Sequence, residues 1–148
     1  MNTIPNALLS GLAGAVVLNV IHETVRQVEP KAPHVQKLGE RAVVKITNAT
    51  GLPTPTGNML YATAMAGDLL SNTLYYSLIG LAKPLAIWPV GAGLGTLAGA
   101  GAVTLAEPLG LGDAPVRRTA TTASLTVAWY LIGGLAAAGI FSWLNRPK

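Results

Sequence analysis

Residues 119–145 decide the fold: they read TATTASLTVAWYLIGGLAAAGIFSWLN and contain no charged side chain. Residues 84–106, PLAIWPVGAGLGTLAGAGAVTLA, and residues 1–21 are also free of charge. A helix rises about 1.5 Å per residue, so about 20 apolar residues cross a hydrocarbon layer roughly 30 Å thick. All three segments are long enough to do so. Residues 84–106 and 119–145 also lack the polar outer face that a soluble helical bundle needs.

The composition of the whole chain agrees with a membrane protein. Of its 148 residues, 51% are hydrophobic and only 11% are charged, whereas soluble domains carry about 25% charged residues. The ten Lys and Arg residues are too scattered for a nucleic-acid-binding surface. The absence of cysteine excludes disulfides, thiolate metal sites and a cysteine nucleophile.

We therefore predict an all-α integral membrane protein, with residues 1–148 forming a single transmembrane domain. A fourth apolar stretch, residues 58–81, is interrupted by Asp68. The predicted spans are about 4–26, 58–81, 84–107 and 119–144. No basic residue precedes the first apolar segment, so we expect a retained span rather than a cleaved signal peptide. The alternative is a soluble, alanine-rich bundle with buried helices.

The basic residues predict the orientation. The first and third connections carry Arg26, Lys31, Lys37, Arg41, Lys45, Arg117 and Arg118. The second connection and the C-terminal tail carry only Lys83, Arg146 and Lys148. Because basic residues concentrate on the cytoplasmic side, both termini are expected outside. The predicted location is the cell (cytoplasmic) membrane, with several passes through the bilayer.

Residues 33–48 predict an amphipathic helix between the first and second spans. Its apolar positions are Val35, Leu38, Ala42 and Ile46, and its basic positions are Lys37, Arg41 and Lys45. We expect this helix on the inner membrane surface, with the three basic side chains directed at anionic lipid headgroups.

The first and third spans resemble each other when shifted by 84 positions, since Pro5 matches Pro89 and Glu23 matches Glu107. The second and fourth spans match at a shift of 53, which aligns Tyr76 with Trp129. We predict two similar hairpins related by an axis along the membrane normal; chance similarity among Ala, Gly and Leu is the alternative. Small residues that recur every fourth position are the predicted helix-packing residues: Gly11, Ala15, Gly91, Gly95 and Gly99. Such faces also suit a homo-oligomer or other membrane subunits.

Asp68 stands near the middle of the second predicted span, where an ionised Asp costs about 2.5–3.5 kcal/mol. It shares one helix face with Tyr61, Asn72 and Tyr75. A second set of polar residues, Asn19, His22, Glu23 and Arg26, lies at the inner end of the first span. Glu107 ends the third span at a similar depth. The predicted ligand- or ion-binding residues are Asp68, Asn72, Tyr61, Tyr75, Asn19, His22, Glu23 and Glu107. The alternative is that Asp68 ties helices together and that Glu107 lies among headgroups.

No catalytic residue, metal or cofactor is predicted. His22 and Glu23 lack the second histidine of a zinc-protease motif, because Arg26 occupies its position. The glycine-rich residues 91–101 lack the Lys-Ser/Thr ending of a phosphate-binding loop.

Three functions fit these features. The first is a transporter or channel subunit that handles a proton, cation or small solute at Asp68. The second is a non-catalytic accessory or assembly subunit that docks other membrane helices. The third is a membrane-embedded enzyme that acts on lipid with His22, Glu23 and Asp68.

Overall fold

The computed structural model describes residues 3–146, and every regular element in that range is helical. The long helices are α1 (Thr3–Val25), α3 (Gly57–Tyr76), α4 (Ile87–Leu105) and α6 (Ala120–Leu144), and the shorter ones are α2 (Val35–Thr50) and α5 (Ala114–Arg117). A 3₁₀ segment, Ser77–Leu81, extends α3, and another, Pro84–Ala86, precedes α4.

Local sequence explains where α2 ends and α6 begins. Gly51 adopts a left-handed conformation with φ of 72°, and its N–H donates to the carbonyl of Thr47, which ends α2. At the start of α6, the side-chain oxygen of Thr119 accepts a hydrogen bond from the N–H of Thr122 at 3.0 Å. The predicted amphipathic helix is therefore present, at residues 35–50 rather than 33–48.

The four long helices pack in the order α3, α1, α6, α4. α1 and α3 run antiparallel, since Ala7 lies beside Gly80 and Asn19 lies beside Asp68. α2 packs against α3 near Ala64, and α5 packs against α6. α3 and α4 stand at the two ends of the row and touch sparsely.

The bundle exposes many large apolar side chains and buries several small or polar ones beside its larger core residues. Outward-facing residues include Leu9 and Val20 of α1, Leu70 and Leu74 of α3, Leu97 of α4 and Ile132 of α6. Fully buried residues include Ser10, Ala15, Thr122, Thr126 and Ala138. A surface of this kind is costly in water and favourable in lipid, since large exposed apolar patches mark membrane or protein contacts.

Within residues 3–146, three helical segments are long and apolar enough to cross a membrane: Thr3–Val25, Pro84–Leu105 and Ala120–Leu144. They coincide with three of the four predicted spans, and the all-helical prediction is confirmed. α3 and its 3₁₀ extension occupy the other predicted span, 58–81, but this segment is less apolar because it contains Asp68 and Asn72. The fourth span and the hairpin arrangement stay predictions.

Candidate functional site

The candidate site is built on the contact between α1 and α3. Asn19 of α1 donates a hydrogen bond from Nδ2 to Oδ2 of Asp68 at 2.9 Å. One turn further along α3, Asn72 donates from Nδ2 to Oδ1 of Asp68 at 3.0 Å. Asn19 is itself oriented by a 3.0 Å bond from Nδ2 to the carbonyl of Ala15. Both oxygens of a half-buried carboxylate therefore accept an amide N–H, and we call Asn19, Asp68 and Asn72 the carboxylate cluster.

A polar pocket adjoins the carboxylate cluster and has a volume of about 10 Å³. Its polar lining comes from three helices: Asn19, His22 and Glu23 of α1, Gln36 of α2 and Asp68 of α3. A polar cavity of this volume has room for about one water molecule. The pocket therefore brings four of the predicted ion-binding residues together around a water-sized space.

His22 lies on the wall of this pocket and is only 5% exposed. Its ring packs against Trp129 and Tyr130 of α6, with ring centroids 4.9 Å and 5.9 Å away. Within residues 3–146, no hydrogen-bond partner reaches Nε2 of His22. A buried ring nitrogen without a partner is costly.

Glu23 extends the polar surface away from the pocket. Its carboxylate accepts hydrogen bonds from Nη2 and Nε of Arg26, at 2.6 Å and 3.0 Å. Tyr61 of α3 lies close enough to interact with both residues. Of these predicted residues, Glu23 lines the pocket and is paired with Arg26, whereas Tyr61 does not line the pocket.

Tyr75 and Glu107 do not belong to this cluster. The hydroxyl of Tyr75 donates to the carbonyl of Leu94 in α4 at 2.9 Å. Glu107 is exposed in the connection after α4, where its Oε2 accepts a 3.3 Å bond from the N–H of Asp113. Neither side chain lines the polar pocket.

The small residues lie where helices approach closely. A Cβ on Gly95 would stand 2.5 Å from the carbonyl oxygen of Tyr130, and Gly91 and Gly99 meet α6 in the same way. Gly11 faces the backbone of α3 at Thr73, and Ala15 is fully buried.

Two of the basic residues of α2 contact protein. Arg41 donates to the carbonyl of Leu111 at 2.5 Å, and Lys45 donates to the carbonyl of Leu109. Both side chains are exposed, as is Lys37. Headgroup binding by these three residues stays a prediction.

Gln36 is a pocket residue that sequence reasoning missed, together with the aromatic wall of Trp129 and Tyr130. The helical period of α2 gave an apolar and a basic face but did not indicate which α2 residues meet α1. Among residues 3–146, no group of three or more His, Asp and Glu side chains could hold a metal ion.

No protein-family model, curated protein or solved structure matches this chain. The site is therefore interpreted from its own geometry.

Proposed function

We propose that this chain is a four-span membrane protein that binds a proton at Asp68 and exchanges it with the inner side of the membrane, as a transporter or channel subunit. The observation that carries the proposal is the carboxylate cluster beside a water-sized pocket that also contains His22 and Glu23. Ionisable groups inside a membrane usually mark ion or proton pathways.

The position of α3 supports its role as the fourth span. α3 lies antiparallel along α1 from Ala7 to Asn19, and α1 is apolar enough to cross a membrane. The exposed side chains of α3 include Leu70 and Leu74, whereas its Asn72 is buried against the bundle. A span with strongly polar side chains turns them to protein, as α3 turns Asp68 towards Asn19 and buries Asn72.

The size of the pocket favours a proton over a larger solute. A cavity of about 10 Å³ has room for about one water molecule and none for an organic solute. A water placed there would have polar partners on His22, Glu23 and Gln36, so it could pass a proton to or from Asp68. Because Asp68 accepts from two amides, the site stays hydrogen-bonded when the water leaves.

In this conformation we expect access to Asp68 from the inner side, and net proton flux requires a second conformation in which the site opens to the outer side. Beyond Asn72, Tyr76 is fully buried and its hydroxyl donates to the carbonyl of Tyr130 at 2.8 Å. Gly11 packs directly against the backbone of α3 at the same level. The basic connections, which contain Lys37 and Arg41, belong to the opposite end, so this proposal places both termini outside.

The proposed two-hairpin arrangement has one supporting contact in each half. Gly11 packs against Ser77, and Gly95 packs against Tyr130. The shift of 84 positions takes Gly11 to Gly95, and the shift of 53 positions takes Ser77 to Tyr130, so the two contacts are equivalent under the predicted repeat. Assembly into a homo-oligomer or with other membrane subunits stays a prediction.

The test is proton flux into liposomes that contain the purified protein and a trapped pH-sensitive dye. With a potassium diffusion potential as driving force, the wild-type protein should dissipate a pH gradient faster than protein-free liposomes. Asp68→Asn keeps the shape of the side chain but removes the proton-binding site, and should reduce the rate at least tenfold. Asp113→Asn, at a half-buried acid outside the long helices, is the matched control and should leave the rate unchanged.

Equal flux in wild type and Asp68→Asn would refute the proposal, provided that both variants insert and melt alike. Absence of flux in the wild type would also refute it. In that case co-purification with a stoichiometric membrane partner would favour the accessory-subunit alternative, and turnover of a lipid would favour the enzyme alternative.

A further inference from the structure

An open groove of about 440 Å³ lies between α3 and α4; Asn72 lines it, and it shares no lining residue with the polar pocket. α4 contributes an apolar wall that includes Leu97, Gly101 and Leu105, and Leu38 of α2 and Tyr130 of α6 also line the groove. The hydrogen bond from the Tyr75 hydroxyl to the Leu94 carbonyl joins the two helices.

Packing explains why this groove is open while the neighbouring interface is closed. α1 and α6 meet backbone to backbone, since a Cβ on Gly14 would stand 2.6 Å from the carbonyl oxygen of Gly133. Along the groove the helices do not touch in this way: the nearest atom to a Cβ on Gly101 would be Cδ1 of Leu105, 3.8 Å away. The groove wall therefore has room for apolar atoms from outside the chain.

One end of the groove reaches the basic side of α2. Leu109 and Leu111 line the groove and also line an adjacent depression of about 320 Å³ that includes Lys45. Arg41 donates to the Leu111 carbonyl and Lys45 donates to the Leu109 carbonyl, which places both cations at this end. Each of the two cations has more N–H groups than these hydrogen bonds use, and both side chains are exposed.

We propose that the groove binds one acyl chain of an anionic phospholipid, whose headgroup lies against Arg41 and Lys45. The site combines an apolar channel with a positive end, which matches the two parts of such a lipid. Its volume is in the range of small-molecule sites. The groove shares Asn72 with the carboxylate cluster, but the proposed headgroup contacts, Arg41 and Lys45, are separate from it.

The acyl-chain part is tested by native mass spectrometry of the purified protein with added phosphatidylglycerol or phosphatidylcholine. The wild-type protein should retain one phosphatidylglycerol at least fivefold more than phosphatidylcholine. Gly101→Leu fills the groove and should reduce retention of both lipids at least fivefold. Gly93→Leu is the matched control on the same helix: its Cβ would meet nothing within 4 Å and it does not line the groove.

The headgroup part is tested with Lys45→Gln, which removes the charge but keeps an amide donor for the Leu109 carbonyl. This variant should lower the preference for phosphatidylglycerol at least threefold and leave phosphatidylcholine binding unchanged. Lys37→Gln, on the same helix and outside both lining sets, should behave like wild type. Equal retention of the two lipids by wild type, or unchanged retention in Gly101→Leu, would overturn the proposal. A dimer that dissociates in Gly101→Leu would also overturn it, because a second copy would then occupy the groove.

Discussion

Replacing Gly95 by alanine should loosen the interface between α4 and α6. A Cβ on Gly95 would stand 2.5 Å from the carbonyl oxygen of Tyr130 and 2.6 Å from Cα of Leu131. Both are backbone atoms, so α4 and α6 must separate for the methyl group to fit. Overpacking of a close-packed interface costs about 1–3 kcal/mol. Gly93→Ala is the matched control, because a Cβ there would meet nothing within 4 Å.

Both substitutions gain the same helix propensity, about 0.5–1 kcal/mol, so the difference between the two variants isolates the packing cost. A difference of 1–3 kcal/mol corresponds to a gap of about 2–12 °C in melting temperature. The measurement is thermal unfolding in detergent, followed by tryptophan fluorescence, with Trp129 as the buried reporter. If Gly95→Ala melts at the same temperature as Gly93→Ala, the close contact between α4 and α6 is wrong.

Three further predictions follow from single side chains: two concern hydrogen bonds and the third concerns the titration of a histidine. Asn19→Leu removes the donor to Oδ2 of Asp68 and should lower the unfolding free energy by about 1–3 kcal/mol. The loss should be smaller when Asp68→Asn is already present. An equal loss in both backgrounds of this double-mutant cycle would show that the hydrogen bond is unimportant. Tyr75→Phe removes the bond to the Leu94 carbonyl and should cost about 0.5–1.5 kcal/mol; a melting temperature equal to that of wild type would contradict it. Burial, assisted by Arg118, Lys37 and Arg26, lowers the pKa of His34 below its ordinary 6.5. The unfolded chain therefore takes up this proton first as the pH falls, and the wild type should lose more stability than His34→Gln between about pH 7.5 and pH 5.5. Equal losses in the two proteins would show that His34 makes no such contribution.

The helices could be predicted from sequence where length and hydropathy were sufficient. Residues 84–106 and 119–145 carry no charge, and helices stand at Ile87–Leu105 and Ala120–Leu144. The boundaries of α2 were less certain, because its end depends on the left-handed conformation of Gly51 rather than on hydropathy.

The candidate site could be predicted in part. The helical period places Asn72 one turn from Asp68, and the two are hydrogen-bonded. The contact between Asn19 and Asp68 depends on the register of α1 against α3, which the period of either helix alone does not determine. Tyr75 shares the face of Asp68, yet its long side chain reaches the backbone of α4. Gln36 was missed because the orientation of α2 depends on tertiary packing.

The depth of α3 in the membrane is the central claim, and a nitroxide label at Leu70→Cys measures it directly. The chain has no cysteine of its own, and Leu70 is 62% exposed two residues beyond Asp68. Comparison labels are Leu97→Cys on the apolar helix α4, where Leu97 is 69% exposed, and Val28→Cys in the connection after α1, where Val28 is 80% exposed.

If α3 spans the bilayer, the Leu70 label in reconstituted protein will be accessible to oxygen and shielded from a water-soluble nickel chelate, like the label at Leu97. A Leu70 label that the nickel chelate reaches as readily as the label at Val28 would place α3 in water and contradict the buried proton site.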